Sequence, residues 1–275
     1  APAPARVGDG GGGPPPPAAP PPPGGRAPPP PGGGGRPPDH GWHGLELRCA
    51  SDQPVRLKLS TLQRRAAART LGRAGLVPVA LASYTGVAAP GPDEPVVADL
   101  LAHLRLAADL GCHRLRVFPH GGPGAGAAAD ARAVRRLLEV ADHARSLGVR
   151  ILVETHDSHR SAGALAALLD QVGHPAVGAL WDLLHTWLAG ENPAESHRTL
   201  GRHLGYVQVK DVVSADDLTP VALGSGVLPI ADCLRLLPRD GWIAWEYEAP
   251  WHPRAAPLAP QLGAGAGYLA ARARR

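Results

Sequence analysis

From Trp42 onward the chain repeats one beat: a short apolar run, then a stretch whose apolar residues recur at helical spacing. The apolar runs are 44–49, 77–83, 114–118, 150–154, 177–182, 206–212 and 242–246. Helical stretches lie between and after them, near 60–74, 94–110, 129–147, 160–171, 191–203, 229–237 and 255–273. Successive runs start roughly 27–37 residues apart, room for a strand, a loop, a helix and a return loop. Repeated βα units favour a parallel sheet covered by helices. Their even length favours closure into a (β/α)8 TIM barrel over an open sheet, and no run is followed by a GxGxxG turn. The spacing thus predicts an α/β barrel over 41–275 whose first βα unit is lacking or altered. An open barrel of this kind leaves two sheet edges unpaired.

The missing unit would lie where residues 1–40 are nearly pure Ala, Pro and Gly. Proline lacks a donor and glycine a side chain, so this stretch reads as a disordered arm, with a PxxP ligand as the functional alternative. The barrel core must be built from Leu, Val and Ala, because aromatic residues are only 4% of the chain. The formal charge is +4, with arginines scattered over many helical stretches rather than set in one stripe, which argues against nucleic-acid binding. Three cysteines without CxxC spacing argue against a disulfide framework and for a reducing compartment. No apolar run is long enough to cross a membrane, and no signal peptide is visible, so a cytoplasmic protein is expected.

In a parallel barrel the chemistry sits at the C-terminal ends of the strands. The run 150–154 ends in Glu154, with His156 two residues on and on the same face. A carboxylate there is costly unless it binds a cation, acts as a base, or pairs with an arginine. The run 177–182 ends in Asp182, followed by His185, which either reaches the cavity or starts a helix. In 206–212, Gln208 and Lys210 share a face. Lys210, one of only two lysines in the chain, is either a contact to a substrate oxygen or phosphate or the partner of a neighbouring strand's acid. Glu246 and Glu248 share a face with no basic residue close by in sequence, which suggests a cation or acid–base work. Glu154, Asp182, Gln208 and Glu246 stand at equivalent places on four consecutive strands. Such oxygen-rich ligands favour Mg²⁺ or Mn²⁺, with Co²⁺ or Zn²⁺ as alternatives.

At these residues the chain resembles the sugar phosphate isomerase/epimerase family, the xylose isomerase-like TIM barrels. The matching stretches are GLELR from Gly44, LRVF from Leu115, VETHDSH from Val153, WDLLHTW from Trp181, VQVKD from Val207 and WEYE from Trp245. The resemblance implies a divalent metal held by Glu154, Asp182, Gln208 and Glu246, with Glu154 and Glu246 exchanging protons at a substrate carbon. It implies substrate contacts from His185, Lys210, His156 and Glu248. Gln208 departs from the histidine usual in the family; its amide oxygen suits a hard cation better than a borderline one.

The expected activity is metal-dependent isomerisation or epimerisation of a sugar or sugar phosphate through an enediolate. The partner is then a small sugar, not nucleic acid or membrane, and a homo-oligomer remains open. One alternative is a lyase that dehydrates a keto-cyclitol on the same scaffold, and another is a degenerate, non-catalytic barrel. A related abasic-site endonuclease would need a zinc cluster rich in histidine, which these strand ends do not supply.

Overall fold

The computed structural model describes residues 41–122 and 124–273, so the Pro/Gly stretch read as an arm lies outside the described residues. Seven parallel strands form one sheet in the order β1-β2-β3-β4-β5-β6-β9. They are β1 (Gly44–Arg48), β2 (Val77–Gly86), β3 (Arg114–Phe118), β4 (Arg150–Glu154), β5 (Val177–Asp182), β6 (Leu204–Val209) and β9 (Ile243–Trp245). Between β6 and β9, β7 (Asp211–Val212) and β8 (Pro220–Val221) form a small antiparallel pair. The helices are α1 (Thr61–Arg73), α2 (Asp93–Leu110), α3 (Ala127–Ser146), α4 (Ala162–Val172), α5 (Leu183–Leu188), α6 (Pro193–Leu200), α7 (Ile230–Leu236) and α8 (Leu262–Ala273).

The expected barrel with one unit short is what forms: the sheet bends through 284° and does not close. Its two faces follow from the pleat, which sends alternate side chains inward and outward. Leu115, Val117, Ile151, Val153, Ala179, Trp181, Val207 and Val209 point out and are buried against the helices. Ala80, Leu152, Leu180 and Tyr206 point in and plug the barrel floor. Two residues beyond Leu152, Leu180 and Tyr206 the inner face turns polar, and that layer is the candidate site.

The gap lies between β1 and β9, which do not pair with each other. Side chains fill part of it. Trp42 stacks on Trp245 at 5.9 Å, and its Nε1 donates to the Leu262 carbonyl at 3.2 Å, tying the seam to α8. A cavity of about 430 Å³ remains there, lined by Leu45, Trp242, Ile243, Leu262 and Leu269 among others. It opens beside the polar layer and carries little of its chemistry.

Outside the barrel, β1 and α2 meet at a titratable contact. His103 is buried, with Nδ1 2.9 Å from the Asp99 carbonyl oxygen and 3.4 Å from its Oδ1. Burial opposes charge on this imidazole, but Asp99, with Cys49 behind it, outweighs burial and holds the pKa up at about 9. A raised folded-state pKa stabilises fully below the free-histidine value of about 6.5, and that stabilisation is lost as pH rises through the folded value. Because Asp99 is partly exposed, solvent screening leaves about 1–2 kcal/mol. Urea midpoints at about pH 6 and about pH 9.5 are expected to differ by that amount more in the wild type than in His103→Asn. Equal losses in both proteins would show that the pair contributes nothing.

Candidate active site

The polar layer is built by strand alternation alone. Leu152 is followed inward by Glu154, Leu180 by Asp182, Tyr206 by Gln208 and Ala244 by Glu246. On the other wall, Arg114 is followed by Arg116 and Gly44 by Glu46. Asp182 and Gln208 are register partners on adjacent strands. Glu154, Asp182, Gln208 and Lys210 are at most 2% exposed. The four residues expected to share a site therefore stand around one barrel mouth.

Three buried oxygens in this layer have no hydrogen-bond partner among the described residues: Glu154 Oε2, Asp182 Oδ2 and Gln208 Oε1. Gln208 is oriented by Glu46, whose Oε1 and Oε2 accept from its Nε2 at 3.0 and 2.8 Å. The same Glu46 accepts from the Tyr206 hydroxyl at 2.6 Å. Asp182 uses its Oδ1 to cap α5, accepting from the Leu184 backbone N–H at 2.8 Å, which leaves Oδ2 facing the barrel.

Lys210 reaches into the acids. Its Nζ lies 2.9 Å from Asp182 Oδ2, contacts Glu246 Oε2 and lies 3.4 Å from Glu248 Oε2. Asp182 Oδ2 is thus ion-paired with Lys210 at an angle unsuited to a hydrogen bond. Of the two readings open for Lys210, the pairing with a neighbouring strand's acids is therefore present, and it gives Glu246 and Glu248 the basic partner they lack close by in sequence. Burial opposes charge on Lys210, but the Asp182, Glu246, Glu248 and Glu154 carboxylates hold its ammonium well above the usual range. Glu154 is pushed well above the carboxylate range by burial, helped by Glu246 and Asp182 and resisted by Arg116. Arg116 Nε lies 3.3 Å from Glu154 Oε2, so the arginine pairing weighed from the sequence is present alongside the candidate cation role.

Two histidines close the layer on the β4 and β5 side. His156 follows β4 and His185 stands in the first turn of α5, so the helix-start reading holds and the ring still reaches the site. The two rings are 4.2 Å apart. Glu154, His156 and His185 each offer a ligand atom, all within 4.8 Å of one another, so this triad could hold a metal ion. Burial first, then His156 and Lys210, pull His185 well below the usual histidine value, leaving it neutral at pH 7. His156 also packs on Phe118 at 4.6 Å, and its Nδ1 faces Asp157 Oδ2 at 3.2 Å.

The family model for xylose isomerase-like TIM barrels matches residues 38–271. The chain belongs to that family. No curated protein matches it by sequence. Among solved structures, this xylose isomerase-like barrel is similar to a probable 3-DHS dehydratase, AsbF, from Bacillus anthracis. That likeness has a TM-score of 0.71 at 18% identity and covers 84% of this chain and 90% of that one. It is also similar to D-psicose 3-epimerase from Clostridium cellulolyticum H10, solved with D-tagatose, with a TM-score of 0.69 at 17% identity, covering 86% and 89%. A xylose isomerase-like protein from Mycobacterium smegmatis, solved in complex with magnesium, gives 0.64 at 16% identity, covering 85% and 84%. At these identities the likeness is one of fold.

Sequence reasoning missed two residues of this polar layer, Glu46 and Arg116. Both lie in stretches already matched to the family, and both carry a readable signal: a charge flanked on each side by apolar strand residues. Arg116 keeps Nε and Nη1 buried without a hydrogen-bond acceptor, and its guanidinium sits 4.0 Å over the Phe118 ring. No helix among the described residues is long and apolar enough to cross a membrane.

Proposed function

We propose that this barrel is a divalent-metal-dependent isomerase or epimerase of a small sugar, moving a proton at the carbon beside a carbonyl. The observation that carries this reading is the set of three buried oxygens on adjacent strands that accept no hydrogen bond, Glu154 Oε2, Asp182 Oδ2 and Gln208 Oε1, of which the first two also face Arg116 and Lys210. Buried acceptors without donors are costly, and a cation offsets that cost. The strand ends offer Glu154, Asp182, Gln208 and Glu246 as its holders, and His156 and His185 offer a second set that also includes Glu154. Mn²⁺ or Mg²⁺ suits the first set, and Co²⁺ or Zn²⁺ the second. Once bound, the metal would polarise the substrate carbonyl and adjacent hydroxyl, acidifying the C–H between them.

The remaining work falls to side chains. Glu154, with its proton affinity raised by burial, is the carboxylate suited to take the substrate's proton. Glu246 supplies the second carboxylate for return of the proton. Lys210 donates to developing negative charge on a substrate oxygen, and neutral His185 donates a single N–H. Glu248 and His156 contact the substrate's hydroxyls. Five acids (Glu46, Glu154, Asp182, Glu246, Glu248) face two cations (Arg116, Lys210), a balance that favours an uncharged sugar over a phosphorylated one.

The test is solvent exchange. Metal-supplemented protein in D₂O is expected to place deuterium on the carbon next to the carbonyl of at least one ketose in a broad panel. Chelator is expected to stop the exchange and lower the melting temperature. No incorporation with any ketose would sink this reading. A product lighter by one water would move it to the lyase class, which shares the proton abstraction.

A further inference from the structure

We propose that Cys49 is a covalent modification site: its sulfur, held against the His103 imidazole, exchanges with a small anionic disulfide that enters a second cavity, outside the barrel. That cavity shares no residue with the polar layer, so the proposal stands whether or not the chain turns over a sugar.

Three side chains of different chemistry meet there. Asp99 and His103 stand four residues apart on α2, and therefore on one face of it. His103 Nδ1 lies 2.9 Å from the Asp99 carbonyl oxygen and 3.4 Å from Asp99 Oδ1, and the Thr85 hydroxyl donates to Asp99 Oδ2 from the end of β2. Cys49 follows β1, and its backbone N–H donates to the Ala82 carbonyl at 2.8 Å, which fixes the residue against the sheet. Its sulfur is a further hydrogen-bond partner of the His103 ring. Against burial, which opposes its charge, Asp99 and then Cys49 hold the His103 pKa at about 9, so the ring carries a proton at pH 7. A histidinium hydrogen-bonded to sulfur favours the thiolate, which is the form that attacks.

The other two cysteines have no such partner among the described residues. Cys112 and Cys233 are 1% and 0% exposed, and burial pushes both thiols up to about 12. Cys49 instead lines a cavity of about 550 Å³ together with His103 and Asp99. Arg56 and Lys58 line the same cavity, and Asp99 is the one acid among its described lining residues. Two fixed cations and a protonated imidazole against one carboxylate favour an anionic reactant. A small disulfide bearing carboxylates meets that balance. The Cys49 thiolate attacks one of its sulfurs, a new S–S bond forms as the old one breaks, and the other half departs as a thiolate. Cys49 is thereby oxidised to a mixed disulfide and the departing half is reduced.

The test treats the native full chain with dithionitrobenzoate, a dianionic disulfide, and in parallel with uncharged dithiodipyridine, and identifies the labelled cysteines by peptide mass. Cys49 is expected to react at least about a hundredfold faster than Cys112 and Cys233, at a rate proportional to reagent concentration, and Cys49→Ser is expected to lose that phase. His103→Asn is expected to slow the phase about tenfold at pH 7 with either reagent. Lys58→Gln, at an exposed position, is expected to lower the ratio of the dianion's rate to the uncharged reagent's by about threefold or more. The proposal is overturned if the three cysteines react together at a rate that reagent concentration does not raise, if a folded His103→Asn protein reacts as fast as the wild type, or if Lys58→Gln leaves the ratio unchanged. Should His103→Asn not fold, the ranking of the three cysteines and the Lys58→Gln ratio decide by themselves.

Discussion

Glu154→Gln is expected to lower kcat by about a thousandfold on whichever ketose the barrel turns over, and to remove deuterium wash-in by the same factor. The substitution keeps volume and shape, so the barrel floor beneath it, Leu152 and Leu180, stays packed. What goes is a group that combines a strongly raised proton affinity, burial and an oxygen that accepts no hydrogen bond among the described residues. Gln cannot accept the proton, and it leaves Arg116 without its facing charge. Stability should move far less than activity. A buried carboxylate is itself costly, so its neutral isostere offsets part of the lost ion pair. Circular dichroism melts run beside the turnover assay keep the two effects apart. A folded Glu154→Gln protein that retains more than about a tenth of the wild-type exchange rate would remove Glu154 from the proton path. Glu246→Gln is expected to fall as far if the two carboxylates share the proton transfer, and only a few-fold if Glu246 chiefly anchors Lys210.

The elements most legible in the sequence are those buried on both faces. β3, β4 and β5 have the bounds their apolar runs suggest, because a strand covered by helices outside and by the floor inside reads as one continuous run. The edges of the gap read less well. β9 shrinks to Ile243–Trp245, since pairing stops where the sheet fails to close. The run 206–212 divides into β6 and β7 because Lys210 and Asp211 leave the sheet for side-chain partners, and the β7–β8 pair has no periodicity long enough to see. Helix α5 is signalled in the sequence only by the helix-start reading of His185, because its cap, Asp182, also serves as a strand end. For the site, alternation placed Glu154, Asp182, Gln208 and Glu246 on the inner face. The sequence left a neighbouring strand's acid as one partner open to Lys210, and distance in sequence hid that the acids include Glu246 and Glu248. That contact spans 36 residues and exists only once β6 and β9 lie side by side. Glu46 and Arg116 were hidden for the same reason: each is explained by partners on other strands, and neither by its own.

Asp211→Ala is expected to cost about 3–5 kcal/mol of stability, a large share of what a single domain usually has. Asp211 follows Lys210 and is buried, with Oδ2 accepting from Gly224 and Gly226 and Oδ1 from Leu228 and Val212. One carboxylate therefore gathers the far end of a loop that leaves and returns within the same stretch of chain. Gly226 belongs there because a Cβ would collide with the Asp211 carboxylate and the Val212 carbonyl. Removing the side chain strands several backbone donors at once, and the penalty for unmet buried groups exceeds the net value of the bonds themselves. Asp211→Asn should recover little, since half of an amide donates where only acceptors are wanted. The effect also reaches the site. With the loop released, the backbone holding Lys210 gains freedom, and the ammonium's grip on Asp182 and Glu246 weakens with it. Urea unfolding checks the first part, read as a lower midpoint at unchanged slope. A loss under about 1 kcal/mol would mean that the β7–β8 loop holds itself, and that Lys210 is positioned by its acids and not by its neighbour.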